Sequence, residues 1–107
     1  MKTSITFRHM KASPAIKDFV LERLDRLDRF SELSKEVHVV LSVEKNRHDA
    51  EVIVSGKGIR AQAVVSTHNL YASIEGAIEK VEKNLRRKHD KKVKGRNHAA
   101  SRAVTAG

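Results

Sequence analysis

The chain has 107 residues, 39% of them hydrophobic, so it is long enough for one small folded domain and is not a wholly disordered protein. It contains no cysteine, which excludes disulfides, thiolate metal sites and cysteine nucleophiles. Lysine and arginine total 22 against 13 acids, and the net charge of +9 indicates a polyanionic partner, either nucleic acid or an anionic membrane. The sequence shows neither a membrane-spanning run nor the apolar core of a signal peptide, so we expect a cytoplasmic protein.

The first part of the chain predicts a strand, a helix and a second strand. Alternation around Ile5 and Phe7 predicts a short strand over 4–8. Ser13-Pro14 is typical of a helix start, because serine caps a helix and proline suits its first position. Apolar residues then recur at helical spacing, which predicts a helix ending near residues 30–33. They are Ile16, Phe19, Val20, Leu24, Leu27 and Phe30.

Three alternating segments follow, over 36–43, 49–55 and 59–66, and each predicts a strand with one apolar face. The residues predicted to point inward are Val37, Val39, Leu41, Val43, Ala50, Val52, Val54, Ile59, Ala61, Ala63 and Val65. Turns are expected over 46–48 and 56–58, the second because it carries two glycines.

The last predicted element is a second helix, which Asn69 can cap and which extends to about Lys92. Residues 94–107 are small, polar and basic, which predicts a disordered tail after an ordered domain over 1–93.

The element order is therefore β-α-β-β-β-α, which predicts an α+β fold. A strand-helix-strand crossover makes the first two strands parallel, and the last three strands form an antiparallel meander. Because every strand has one apolar face, both helices should pack on the same face of a four-stranded sheet.

Charge is segregated on the second helix. At about 100° per residue its basic residues fall in a stripe roughly 80° wide. They are Lys80, Lys83, Arg87, Lys91 and Lys94, and the adjoining sector carries Glu75, Glu79, Glu82 and Asp90. Segregation sacrifices the i,i+4 pairs of an interspersed surface, so we interpret the stripe as a phosphate-binding ridge. The alternative is an ordinary solvated helix face.

The first helix carries Arg23, Arg26 and Arg29 on one side. Arg23 falls within the apolar stripe, so we expect its stem to be packed and its guanidinium to open into the groove between the helices. The two helices would then form a positive channel. The alternative is an internal ion pair of Arg23, for which Glu22 lies too far around the helix to be an obvious partner.

Other chemistry finds little support in the sequence. Aromatic residues make up 4%, and Phe7, Phe19 and Phe30 fit core positions, so RNA recognition should use phosphates and shape rather than stacked bases. The six histidines lack metal-ligand spacing, and no serine has evident catalytic partners. We expect no metal, no cofactor and no enzymatic activity.

Several segments, in this order along the chain, resemble one family. They are Ser13-Pro14-Ala15-Ile16-Lys17, Val39 to Lys45, Asp49 to Val52, Asn69-Leu70-Tyr71-Ala72-Ser73-Ile74-Glu75, Ile78 to Val81 and Leu85 to Lys88. Together they make residues 1–92 similar to the short-form bacterial ribosome hibernation promoting factors and the related ribosome-associated inhibitor A. The resemblance implies the same β-α-β-β-β-α fold and binding between the head and body of the small ribosomal subunit, over the messenger and transfer RNA sites.

The resemblance also implies contacts with ribosomal RNA and an otherwise monomeric protein that silences idle ribosomes. The candidate RNA-binding residues are Arg23, Arg26, Arg29, Lys80, Lys83, Arg86, Arg87 and Lys91. From the resemblance to the short form we expect neither the acidic tail of the inhibitor type nor the dimerising domain of the long form, which leaves open whether ribosomes are paired or kept single.

Two other functions remain open at this stage. One is modulation of a transcription sigma factor, a label that relatives have carried, and it should use the apolar residues Val40, Ile53 and Val64 of the open sheet face. The other is generic binding of structured RNA. Co-sedimentation with ribosomes or with RNA polymerase would separate them.

Overall fold

The computed structural model describes residues 1–32 and 34–96, with side chains up to residue 90. Its elements are β1 (Lys2–Arg8), α1 (Pro14–Leu24), a 3-10 helix (Asp25–Phe30), β2 (Ser34–Glu44), β3 (Arg47–Gly56), β4 (Ile59–Thr67) and α2 (Leu70–Arg96). The predicted order of strands and helices is confirmed. No helix in the described part of the chain combines the length and apolar character needed to cross a membrane.

The sheet has four strands in the order β1-β2-β3-β4. β1 pairs with β2 in parallel, with Ile5 opposite Val39, and the other two pairings are antiparallel. The inward residues of β2, β3 and β4 share one face, and the centre of that face is buried beneath α1, the 3-10 helix and α2. The predicted α+β fold, with both helices on one face, is therefore confirmed.

Two-residue turns connect the antiparallel strands. Lys57 and Gly58 join β3 to β4, and Gly58 has a φ of 71°, which glycine adopts without steric cost. The turn between β2 and β3 is Lys45-Asn46 rather than residues 46–48, because Arg47 and His48 pair with Glu44 and Val43 and so belong to β3.

The first helix begins as predicted, since the hydroxyl of Ser13 accepts a hydrogen bond from the backbone N–H of Ile16. The expectation of one helix ending near residues 30–33 is wrong in detail, because α1 ends at Leu24 and the chain continues as a 3-10 helix to Phe30. The sequence spacing accounts for this change. Leu24, Leu27 and Phe30 are three residues apart and all buried, and three residues make one turn of a 3-10 helix.

Asn69 caps α2, because its side-chain Oδ1 accepts hydrogen bonds from the backbone N–H groups of Tyr71 and Ala72, at 2.9 and 3.4 Å. The helix extends to Arg96, past the expected end at Lys92, so residues 94–96 of the proposed tail are helical. The rest of that tail, residues 97–107, lies outside the described residues, and the prediction of a basic disordered tail stays a prediction.

Candidate nucleic-acid interface

One side of α2 faces α1 and the 3-10 helix. Phe19 packs edge-on against Tyr71, with ring centroids 4.8 Å apart, and Phe30 packs similarly against His89 at 6.1 Å. Two ion pairs lie on the same side and join the helices: they are Arg23–Glu75 and Arg26–Glu82. The four α2 residues involved fall within roughly 40° of one another on the helix. The acidic sector of α2 therefore faces the first helix.

The basic stripe of α2 points elsewhere. At about 100° per residue, Lys80 and Arg87 lie roughly 140–160° around the helix from Glu82, and Lys83 lies roughly 100° away. The predicted channel between two basic flanks is therefore wrong in its geometry. The groove is bridged by ion pairs of opposite charge, and the stripe lies on the solvent side and far flank of α2. The sequence predicts how charges are arranged around each helix, but it does not predict how one helix is rotated relative to the other.

Arg23 reaches from α1 towards α2, but its guanidinium is ion-paired, which was the alternative to a guanidinium open to a positive channel. Its guanidinium lies over the ring of Phe19, 4.5 Å from the centroid, and its side chain is 34% exposed. It pairs with Glu75, and that hydrogen bond raises the pKa of the Arg23 guanidinium above its ordinary value. Glu22 is a second partner at 3.3 Å, so the expectation that Glu22 is out of reach is wrong. Both carboxylates reduce the positive charge that Arg23 offers to RNA.

Glu82 of α2 pairs with one arginine of the 3-10 helix and with one of its own helix. Its Oε1 lies 2.5 Å from Nη2 of Arg26, and its Oε2 lies 3.8 Å from Nη2 of Arg86. The Glu82 side chain is only 11% exposed, whereas the two arginines are 43% and 48% exposed. From the sequence, Glu82 was assigned only to the acidic sector of α2, and its burial was not predicted. The overlooked signal is that Glu82 lies one helical turn from both Ile78 and Leu85, which are core residues.

The interspersed pairs that segregation was expected to sacrifice are partly present. Lys83 lies 3.5 Å from Glu79, and Arg86 pairs with Glu82, both at i,i+4 spacing. The Lys83–Glu79 pair is exposed on both sides and contributes little free energy, whereas the acid of the Arg86–Glu82 pair is buried. Within the described side chains, neither Lys80 nor Arg87 has an ion-pair partner.

The remaining candidates lie at the end of the helix pair. The guanidinium of Arg29 lies over Phe30, 5.3 Å from the ring centroid, and Phe30 in turn contacts His89 of α2. Lys91 belongs to α2, but its side chain lies outside the described residues. We call the exposed cations across both helices the basic helix surface. It comprises Arg26, Arg29, Lys80, Lys83, Arg86 and Arg87.

Metal binding was the other chemistry considered from the sequence. No group of three or more potential ligands in the described part of the chain could hold a metal ion. A surface cavity lies at the tip of the β2–β3 hairpin, lined among others by Lys45, Arg47 and His68. Among its lining residues, Arg47 pairs with Glu44 at 3.7 Å, which is an ordinary surface ion pair.

Comparison with known proteins identifies relatives over nearly the whole ordered region. Residues 3–93 match the family model described as sigma 54 modulation protein / S30EA ribosomal protein. A ribosome hibernation promoting factor of Salmonella typhimurium is 36% identical over 93 residues, covering 85% of this chain and 96% of that protein. One from Klebsiella oxytoca is 34% identical over the same length and coverage.

Solved structures agree with these matches. The N-terminal domain of Thermus thermophilus Protein Y is 28% identical with a TM-score of 0.73, covering 81% of this chain and 98% of that one. A ribosomal subunit interface protein of Coxiella burnetii superimposes with a TM-score of 0.78 over 84% of this chain and 99% of that one. At 18% identity, the Coxiella structure supports the fold alone.

Proposed function

Because the chain belongs to the sigma 54 modulation protein / S30EA ribosomal protein family, we propose that it binds the small ribosomal subunit through ribosomal RNA and excludes messenger and transfer RNA. The family is one of ribosome hibernation factors, which bind ribosomes and are not enzymes. The proposal adds that the protein contacts small-subunit RNA and excludes messenger and transfer RNA. It also locates the protein in the cytoplasm, where bacterial ribosomes are.

The basic helix surface is the observation that carries this proposal. Its six arginines and lysines come from the 3-10 helix and α2, and all six are exposed. The acid that lies closest among them, Glu82, is buried below the surface. Glu79 is exposed and lies 3.5 Å from Lys83, but six cations on rigid helices still form a positive surface suited to phosphates at fixed spacing. Lys91, the next basic position of the stripe, would extend this surface along α2.

Arg23 contributes least to the proposed interface. Its guanidinium is shared between Glu22 and Glu75, and it lies in the groove rather than on the exposed top. The proposal therefore concentrates RNA binding on α2 from Lys80 onward and on the adjacent 3-10 helix.

Recognition by stacked bases has little support in the described residues. Tyr71 is 44% exposed, but its ring packs against Phe19 on the side of α2 that faces α1. Phe30 is buried, and Phe7 and Phe19 pack against the core. RNA phosphates and shape, rather than base identity, are therefore the expected basis of recognition.

Sedimentation tests the proposed function. A lysate that contains the tagged full chain is separated on a sucrose gradient at low and high salt. We expect the protein to travel with small subunits and whole ribosomes, and to leave them as salt rises. Migration with RNA polymerase instead would favour the sigma-factor alternative, for which Val64 at 54% exposed is the most open apolar residue of the free sheet face.

A further inference from the structure

Glu82 is the one charged residue that is buried among the described side chains, with 8% of its surface exposed. A buried carboxylate is unfavourable unless its oxygens are paired, and here each oxygen faces a different arginine. Arg26 comes from the 3-10 helix and Arg86 from α2, so one acid contacts arginines of both helices that form the basic helix surface.

Both arginines have N–H donors that Glu82 does not use. A guanidinium carries five N–H donors in a planar fork, and the contacts with Glu82 use one nitrogen of each group. Both side chains are close to half exposed, at 43% and 48%, so donors remain directed to solvent. Glu82 also limits the rotamers of both long side chains, which lowers the entropy lost when they bind a ligand.

We infer that Arg26 and Arg86 form a two-arginine clamp for one RNA phosphate, and that Glu82 is the positioning residue of this clamp. The inference rests on the proposed function and adds a subsite to it. The ligand class follows from the donors, because paired guanidinium forks match the unesterified oxygens of a phosphodiester. Glu82 does not touch the RNA, and it acts through the two arginines.

Charge and positioning predict opposite effects when Glu82 is neutralised. Glu82→Gln keeps the size of the side chain and adds one unit of positive charge to the protein. If charge alone controls binding, the variant should bind RNA more tightly. If Glu82 positions the clamp, the variant should bind more weakly although it is more positive.

The control is Glu79→Gln. Glu79 is 54% exposed and also has an i,i+4 cation, Lys83, so the substitution makes the same charge change without touching a buried acid. Native protein and both variants are titrated against purified small subunits at several salt concentrations, and thermal melts check that each is folded.

We expect Glu82→Gln to bind on the order of tenfold more weakly than native protein, by analogy with the smaller losses that follow removal of groups that orient metal ligands. The slope of log affinity against log salt should also fall by about 0.7–0.9, as one phosphate contact is lost. If Glu82 only stabilised the fold, Glu82→Gln would reduce the fraction of folded protein that can bind subunits, but it would leave this slope unchanged. Glu79→Gln should bind as native protein or slightly more tightly.

Equal or tighter binding by Glu82→Gln would overturn the clamp. Failure of the native protein to bind small subunits would instead remove the proposed function itself. If Glu82→Gln does not fold, Arg26→Ala, Arg86→Ala and the double variant replace it. A shared phosphate predicts that each single change costs nearly as much as both together, and strictly additive losses would contradict the clamp.

Discussion

The guanidinium of Arg23 and the carboxylate of Glu75 join α1 to α2 across the inter-helix groove. This pair explains how an arginine occupies a position within an apolar stripe. The guanidinium lies over the ring of Phe19 and pairs with Glu75, which is 46% exposed. Because the pair is partly solvated, it ties the helices together without burying an isolated charge.

Arg23→Leu should therefore fold with nearly native stability. Leucine retains apolar contact with Phe19, and the carboxylate left behind on Glu75 is hydrated rather than stranded. Subunit binding should change little, because two acids already offset the charge of Arg23. Urea denaturation and co-sedimentation measure the two effects. A large loss of stability would mean that the groove is far drier than its exposure indicates.

The basic stripe should carry much of the affinity. Replacing Lys80, Lys83 and Arg87 with alanine should weaken binding to small subunits by several kcal/mol in total, since charge-assisted hydrogen bonds contribute about 1.5–3 kcal/mol each. Unfolding should be almost unaffected, because all three side chains are exposed. Equilibrium binding to purified subunits measures the loss.

A matched variant controls for net charge. Lys2, Lys11 and Lys35 are also exposed and lie outside the basic helix surface. Their replacement by alanine removes the same number of charges. It should reduce affinity only slightly, through the weaker long-range field. Equal losses in both triple variants would show that the position of the stripe is irrelevant.

Salt should strongly weaken binding. Neutralisation of phosphates by lysine and arginine releases counterions, so affinity falls with ionic strength. If the surface contacts six or more phosphates, affinity should drop about a thousandfold between about 50 and 200 mM salt. Titration of labelled protein with small subunits across this range provides the slope, and a flat response would contradict a phosphate interface.

The cap of α2 should contribute measurably to stability. Asn69→Ala removes the acceptor for the backbone N–H groups of Tyr71 and Ala72 and should cost about 1 kcal/mol of the free energy of unfolding. Asn69→Asp keeps the acceptor, adds a favourable charge at the helix N-terminus, and should be at least as stable as the native chain. Urea unfolding of both variants is the measurement. A less stable aspartate variant would show that the cap acts differently.

Local periodicity was sufficient to predict the fold. Alternation around Val39 and Val52 and helical spacing from Leu70 to Leu85 are properties of single elements, and each retained its predicted face in the structure. The change from α to 3-10 geometry after Leu24 was missed, because spacings of three and four coexist in that segment and tertiary packing selects between them.

The candidate site was harder to predict than the fold. The angular positions of the α2 residues, at about 100° per residue, correctly place Lys80 and Arg87 in a different sector from Glu82. These angles contain no information about which sector of α2 faces α1, because that depends on how both helices pack on the sheet. The pairs that bridge the groove, and the burial of Glu82, follow from this packing. A channel inferred from the two helices taken separately was therefore wrong, although exposed cations remain on the 3-10 helix and on α2.

Competition with transfer RNA tests the central claim most directly. Purified small subunits carrying a short messenger and labelled transfer RNA are titrated with the native protein and with the Lys80, Lys83 and Arg87 triple alanine variant. We expect the native protein to displace transfer RNA at about one protein per subunit, and the variant to require much higher concentrations. Native protein that binds stoichiometrically while transfer RNA remains fully bound would contradict the account.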